Sequence, residues 1–139
     1  MRDQLCEMLQ LPLIDLSVTS VTVVGAGKSF CSGGDLDEFG LIGDAGGAHL
    51  VRISRSPAQL FNLLAPKMTA KVHGACIGAG IELAAFCKKI IAKEDAFFQL
   101  PEIGLGLLPG AGGTASLPRR IGRYLSLIHI SEPTRLRRI

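Results

Sequence analysis

Tryptophan is absent from the 139 residues, tyrosine occurs once, and aromatic residues make up 5% of the chain. Any core must therefore be built from aliphatic side chains. A long apolar run is also missing: no stretch approaches the roughly 20 residues that a membrane helix needs. The opening MRDQLCEMLQ carries charges and has no apolar central region, so it does not read as a secretory signal. Cys6, Cys31, Cys76 and Cys87 are scattered, with no CxxC pair and no histidine at metal-ligand spacing. They read as buried thiols of a reduced compartment, which points to the cytoplasm and to no metal. A strong excess of either charge is missing as well: 15 Lys and Arg stand against 12 Asp and Glu, a formal net charge of +3. Arg119, Arg120, Arg123, Arg135, Arg137 and Arg138 crowd the end, and without them the chain would be slightly acidic. A nucleic-acid partner has little support on that balance. There is no GxSxG elbow, no GxxxxGK[ST] phosphate loop, and the run Gly110 to Gly113 does not follow the dinucleotide pattern.

What is present fits one domain, with 47% hydrophobic residues to fill a core. Leu5, Cys6, Met8 and Leu9 have helical spacing within Asp3 to Leu11. Val18 to Val24 reads as a buried strand and Ser29 to Ser32 as a short extended piece. Gly43 to Gly47 reads as a mobile loop, followed by a helical pattern from Ala48 to Ala65. Pro57, after Ser56, either kinks that helix or starts a second one. Met68, Ala70 and Val72 alternate with polar residues, as in a strand that His73-Gly74 ends. Gly78-Ala79-Gly80 opens a helix to about Cys87. Lys89 to Ala92 and Ala96 to Gln99 read as strands, and a helix runs from about Gly112 to Arg120. Strand, turn, short strand and helix recur, which predicts an α/β fold of ββα units.

Chemistry points to Glu82 and Glu102, each beside a glycine-rich run. Glycine admits positive φ and close approach, so backbone N–H groups can face an anion. The N–H of Gly34, and those of Ala79 and Gly80 at a helix start, could grip one thioester oxygen; a single such donor lowers a barrier by about 3–4 kcal/mol in other enzymes. Carboxylates beside such donors suit proton transfer next to a developing oxyanion. Two carboxyls facing one pocket would raise at least one pKa and couple their titrations. Plainer readings stay open: ordinary glycine turns, a helix-start glutamate at Glu82, a solvated turn residue at Glu102. His49, His73 and His129 are weaker candidates.

Taken together, three motifs resemble the crotonases, the enoyl-CoA hydratases and isomerases. SFCSGGDLDEF, from Ser29 to Phe39, is similar to the family's (S/A)F(C/S)xGxDLxE element. HGACIGAGIELAAFC, from His73 to Cys87, is similar to NGxxxGxGxELAxxCD. FFQLPEIGLGLLPGAGGTASLPRRIG, from Phe97 to Gly122, is similar to FxxPExxLGxxPGxGGTxxLxRxxG. The order agrees over roughly Val18 to Arg123. The resemblance implies a crotonase-like ββα spiral core, incomplete at both ends. It implies acyl-CoA thioester substrates, no cofactor beyond the coenzyme A of the substrate, and a parent homotrimer or homohexamer. Gly34 and Ala79 would supply the oxyanion N–H groups. Glu82 and Glu102 would flank a water and add it to a 2-trans-enoyl-CoA, as in fatty-acid β-oxidation. Gly33, Asp35, Gly78, Gly80, Pro109 and Gly110 would line the substrate. Alternatives are isomerisation, or acyl-CoA binding without turnover. Asp37 stands where some members have a lysine. Met1 reads as an internal methionine or a misplaced start. Residues 1–123 read as a partial domain of the family. Residues 124–139 read as a tail outside it, Ser126 to Ile139 resembling translated adaptor sequence.

Overall fold

Met68–Val72 is the central strand of the fold, and its sequence MTAKV shows why. Met68, Ala70 and Val72 point one way and are at most 1% exposed, while Lys71 points out. The computed structural model describes residues 1–35 and 43–131. Along the chain these form α1 (Arg2–Ile14), β1 (Val21–Val24), α2 (Ala45–Ser54), α3 (Pro57–Leu64), β2 (Met68–Val72), β3 (Ala75–Ile77), α4 (Ala79–Ala84), β4 (Lys89–Ala92), β5 (Phe97–Gln99), α5 (Gly113–Ile121) and α6 (Arg123–Ser131). Short 3-10 turns occupy Ala65–Lys67 and Glu102–Leu105.

Two parallel sheets result. The first has the order β1-β2-β4, with Val21 opposite Met68 and Ala70 opposite Ile90. The second pairs β3 with β5, Cys76 opposite Phe98, and Cys31 adds a single bridge to Cys76. Each turn of chain thus gives one strand to the first sheet and a shorter piece to the second, then a helix. His73 and Gly74 make this turn after β2: Phe30 N–H donates to His73 O and Phe97 N–H to Gly74 O. This is the ββα repetition expected from the order of strand, turn, short strand and helix, wound three times.

Local chemistry sets the boundaries. After α1, Asp15 accepts the N–H and hydroxyl of Ser17 through its side chain and the N–H of Val18 through its carbonyl. The turn delays the first strand, so it begins at Val21 and not at Val18. Nor is it buried as expected: it is the edge of the described sheet, and Val24 is 61% exposed. The expectation of a loop over Gly43 to Gly47 is also corrected. Asp44 caps α2 by accepting the N–H groups of Gly46 and Gly47, so the helix starts at Ala45. Those two bonds hold the Asp44 carboxyl below its ordinary range. Ser56 caps α3 by accepting the Gln59 N–H, with Pro57 at the first helical position, so Pro57 starts a second helix. The Asp37 position lies outside the described residues. At the other end α6 runs across the expected boundary at residue 123 and packs on α5, with Ser126 buried. Residues 132–139 lie outside the described residues.

The core is aliphatic but for Phe61, which with Leu64 joins α3 to the β2 face, Cys76, Ile81, Ala84, Cys87, Leu100 and Leu117. Leu9 and the partly buried Leu5 of α1 complete it, while Met8 is exposed. Phe61 is 2% exposed. Its replacement by alanine should cost about 3–5 kcal/mol, since the fixed strand cannot close the cavity. Urea unfolding of Phe61→Ala reads this directly; a loss below about 1 kcal/mol would mean that α3 is not anchored on the strand as described.

Candidate active site

Glu82 lies in the first turn of α4 and is 1% exposed. An ionised carboxylate so buried needs donors. It has two on one oxygen: the N–H of Ala111 at 2.8 Å and of Gly113 at 2.7 Å, both donating to Oε2. Ala111 and Gly113 belong to the glycine-rich run that opens α5. Gly113 has to be glycine, because a Cβ there would stand 2.7 Å from Glu82 Cγ and 2.9 Å from Pro109 Cβ.

Glu102 follows Pro101 and heads the 3-10 turn; its carbonyl accepts the Leu107 N–H. Its carboxyl reaches back over the end of β3. Gly78 turns there with φ 50° and ψ −121°, and a Cβ on it would stand 2.7 Å from Glu102 Oε1. The same Cβ would lie 3.8 Å from the Gly33 Cα. Gly33, Gly78, Glu102, Glu82, Pro109 and Gly113 therefore converge, although they come from three separate turns of the spiral.

The two carboxyls face each other within hydrogen-bonding reach. Burial pushes Glu82 up to about 7, opposed by the bonds from Gly113 and Ala111 and assisted by the charge and hydrogen bond of Glu102. Glu102 is also raised, again by burial first. Two like charges in so dry a place oppose each other's ionisation, so between its two titration steps the pair shares one proton. Glu82 Oε2 is taken by two N–H donors, which leaves its other oxygen and the Glu102 carboxyl to share that proton. Glu102 Oε2 is buried and has no hydrogen-bond partner among the described residues.

The remaining candidates divide. Gly34 and Asp35 are exposed on the loop after Cys31, and Gly110 is exposed beside open space. Among the described residues neither the Gly34 N–H nor the Ala79 N–H has an acceptor. Gly80 is explained by packing: a Cβ there would stand 2.7 Å from Cys31 O. Cys76 and Cys87 are buried thiols raised to about 12 and about 11 by burial, Cys6 is buried, and Cys31 is half-buried. Sequence reasoning missed the donors Ala111 and Gly113. The signal for them was the run Gly110 to Gly113 itself, which can bring consecutive N–H groups to one oxygen.

A family model of enoyl-CoA hydratase/isomerase matches residues 1–127. The chain is 38% identical over 122 residues to a probable enoyl-CoA hydratase of Bacillus subtilis, covering 86% of this chain and 47% of that protein. It is 37% identical over 124 residues to the 2,3-dehydroadipyl-CoA hydratase of Escherichia coli, covering 88% and 48%. The crystal structure of an enoyl-CoA hydratase from Bacillus anthracis superimposes with a TM-score of 0.81 at 30% identity, covering 96% of this chain and 52% of that one. The chain belongs to the enoyl-CoA hydratase/isomerase family and has its crotonase α/β fold. It spans about half the length of the Bacillus subtilis and Escherichia coli relatives. Among the described residues no helix is long and apolar enough to cross a membrane.

The raised Glu82 pKa has a sign in folding. Below pH about 4.5 both folded and unfolded chains hold the proton, and the group contributes nothing. Between about 4.5 and about 7 the unfolded chain releases it while the folded chain keeps it, so stability falls as pH rises; above about 7 the penalty is constant. Glu82→Gln removes the penalty and can still accept from both N–H groups. Its stability relative to the parent should therefore improve from pH 5 to pH 8, by on the order of 1–3 kcal/mol. Urea unfolding at the two pH values measures the change; a difference that does not move with pH would remove the dry, proton-sharing pair.

Proposed function

We propose that the site hydrates a 2-trans-enoyl-CoA. The observation that carries this reading is the pair of facing carboxyls, one fixed by N–H donors and the other with a buried oxygen that has no hydrogen-bond partner among the described residues. A water held against both carboxyls adds its oxygen to C3 as Glu82 accepts a water proton. The electron pair of the C2–C3 double bond moves onto the thioester carbonyl, and the enolate oxygen rests on the Gly34 and Ala79 N–H groups. Their lack of an acceptor among the described residues is compatible with that role. When the electron pair returns to C2 it takes the proton that Glu102 delivers, and the carbonyl is restored. A pair of carboxyls that shares one proton between its two titration steps has both an acid and a base at once, which general acid–base catalysis rewards.

Gly33, Asp35, Gly78, Pro109 and Gly110 are assigned to the substrate's thioester and acyl side, and Gly80 with them through the backbone it packs. The reaction needs no metal or further cofactor. The substrate is an acyl-CoA, as the family match suggests, and the whole protein assembles as a homotrimer or as a homohexamer of two trimers. Four unpaired thiols suit a reduced cytoplasm. The residues assigned to the chemistry fall within 1–123, and none falls within 124–139.

The chain is assayed with 2-trans-butenoyl-CoA, following loss of the conjugated enoyl thioester. Glu82→Gln and Glu102→Gln should each lower turnover by about 10²–10⁴-fold while thioester binding is kept. Turnover undiminished in both variants would refute the assignment. Binding with no turnover by the parent chain would favour an acyl-CoA-binding role.

A further inference from the structure

The carbonyl of Glu82 is as tightly held as its carboxylate. In a continuing helix it would accept the N–H of Phe86. The chain tightens there: Phe86 N–H donates to Leu83 O and Cys87 N–H to Ala84 O. Glu82 O is left as one of the last-turn carbonyls that a short helix cannot satisfy. Ser116 Oγ donates to it at 2.7 Å, and both residues are 1% exposed. Arg120, one turn further along α5, donates to Ala85 O at 3.0 Å and also to Cys87 O. Gly113, Ser116 and Arg120 are spaced at i, i+3 and i+7 and so share one face of α5. That face holds Glu82 of α4 at its carboxylate and at its carbonyl, and holds the turn that follows α4.

We infer that Ser116 is a positioning residue for Glu82: its hydroxyl fixes the Glu82 main chain at the height where the carboxylate meets the Ala111 and Gly113 N–H groups. The inference rests on Glu82 acting as proposed above, but its first readout does not. Without the hydroxyl, Glu82 O is buried with no donor, and α4 must shift to find one. Any shift lengthens the two N–H bonds that favour the ionised carboxylate. Arg120 alone cannot compensate, since it holds carbonyls three and five residues further on.

The test is Ser116→Ala and Ser116→Thr in the full chain. The Glu82 carboxyl is followed by ¹³C NMR titration, its resonance assigned from Glu82→Gln. Ser116→Ala should move the Glu82 midpoint up by roughly half a unit to one unit. It should lower turnover by about tenfold with KM unchanged and shift the pH–rate profile the same way. Ser116→Thr, which keeps the hydroxyl, should restore both. A Glu82 midpoint and profile unchanged in folded Ser116→Ala would overturn the inference. So would a loss of turnover that follows only the loss of folded protein. If Ser116→Ala does not fold, Ser116→Cys, close in size and a weaker donor, is measured the same way, and an unmoved midpoint again overturns the assignment. Should the parent chain hydrate no enoyl-CoA, the proposed function fails alone, because the titration still decides whether Ser116 positions Glu82.

Discussion

Burying two carboxyls against each other is the constraint on which the rest of this structure depends. A carboxylate removed from water must find donors, a proton, or both. Here the answer is divided: Ala111 and Gly113 donate to one oxygen of Glu82, and a shared proton serves the interior between Glu82 and Glu102. Both answers are steric as much as electrostatic. A side chain on Gly113 would occupy the space of Glu82, and one on Gly78 the space of Glu102. The glycines are where they are because the carboxyls are.

No single ββα turn contains this site. Gly33 comes from the first, Gly78 and Glu82 from the second, Glu102 and Gly113 from the third. Their meeting is a matter of register. Cys31 pairs with Cys76, and Cys76 with Phe98, so the short sheet brings the ends of successive turns to one level. Gly80 lets α4 seat against the Cys31 backbone, where a methyl group would not fit. The aliphatic core under β2 holds that level, because a strand buried on alternate residues cannot slip by one position without turning its apolar face outward.

The sequence made the repeating units legible because their punctuation is local. Alternation in MTAKV, the stop at His73-Gly74 and the proline after Ser56 each act within a few residues, and β2 and β4 lie where they were read. The capping of α2 by Asp44 was equally local and was missed, since a run rich in glycine looks like a loop unless the residue before it is weighed as a cap. The exposure of β1 could not be read, because Val21 to Val24 is the same apolar run whether it has one neighbour or two. In the site, both glutamates stood out beside their glycine runs. Their nearness did not, for it depends on the register of three turns. Ser116 was invisible for another reason: its partner is a main-chain carbonyl, and every residue offers one of those.

The two carboxyls are unequal, and the inequality follows from their supports. Glu82 is fixed at its backbone by Ser116 and at its side chain by two N–H groups, on a helix whose following turn Arg120 holds. Glu102 stands on a 3-10 turn ended by a left-handed Gly106, and among the described residues its buried oxygen has no hydrogen-bond partner. A group that is to orient a water must itself be oriented, and Glu82 is. A group that is to pass a proton to a carbon must be able to approach it, and Glu102 has an oxygen uncommitted to the protein. In the proposed hydration the roles are therefore set by which carboxyl the fold immobilises, and their similar chemistry alone would not separate them.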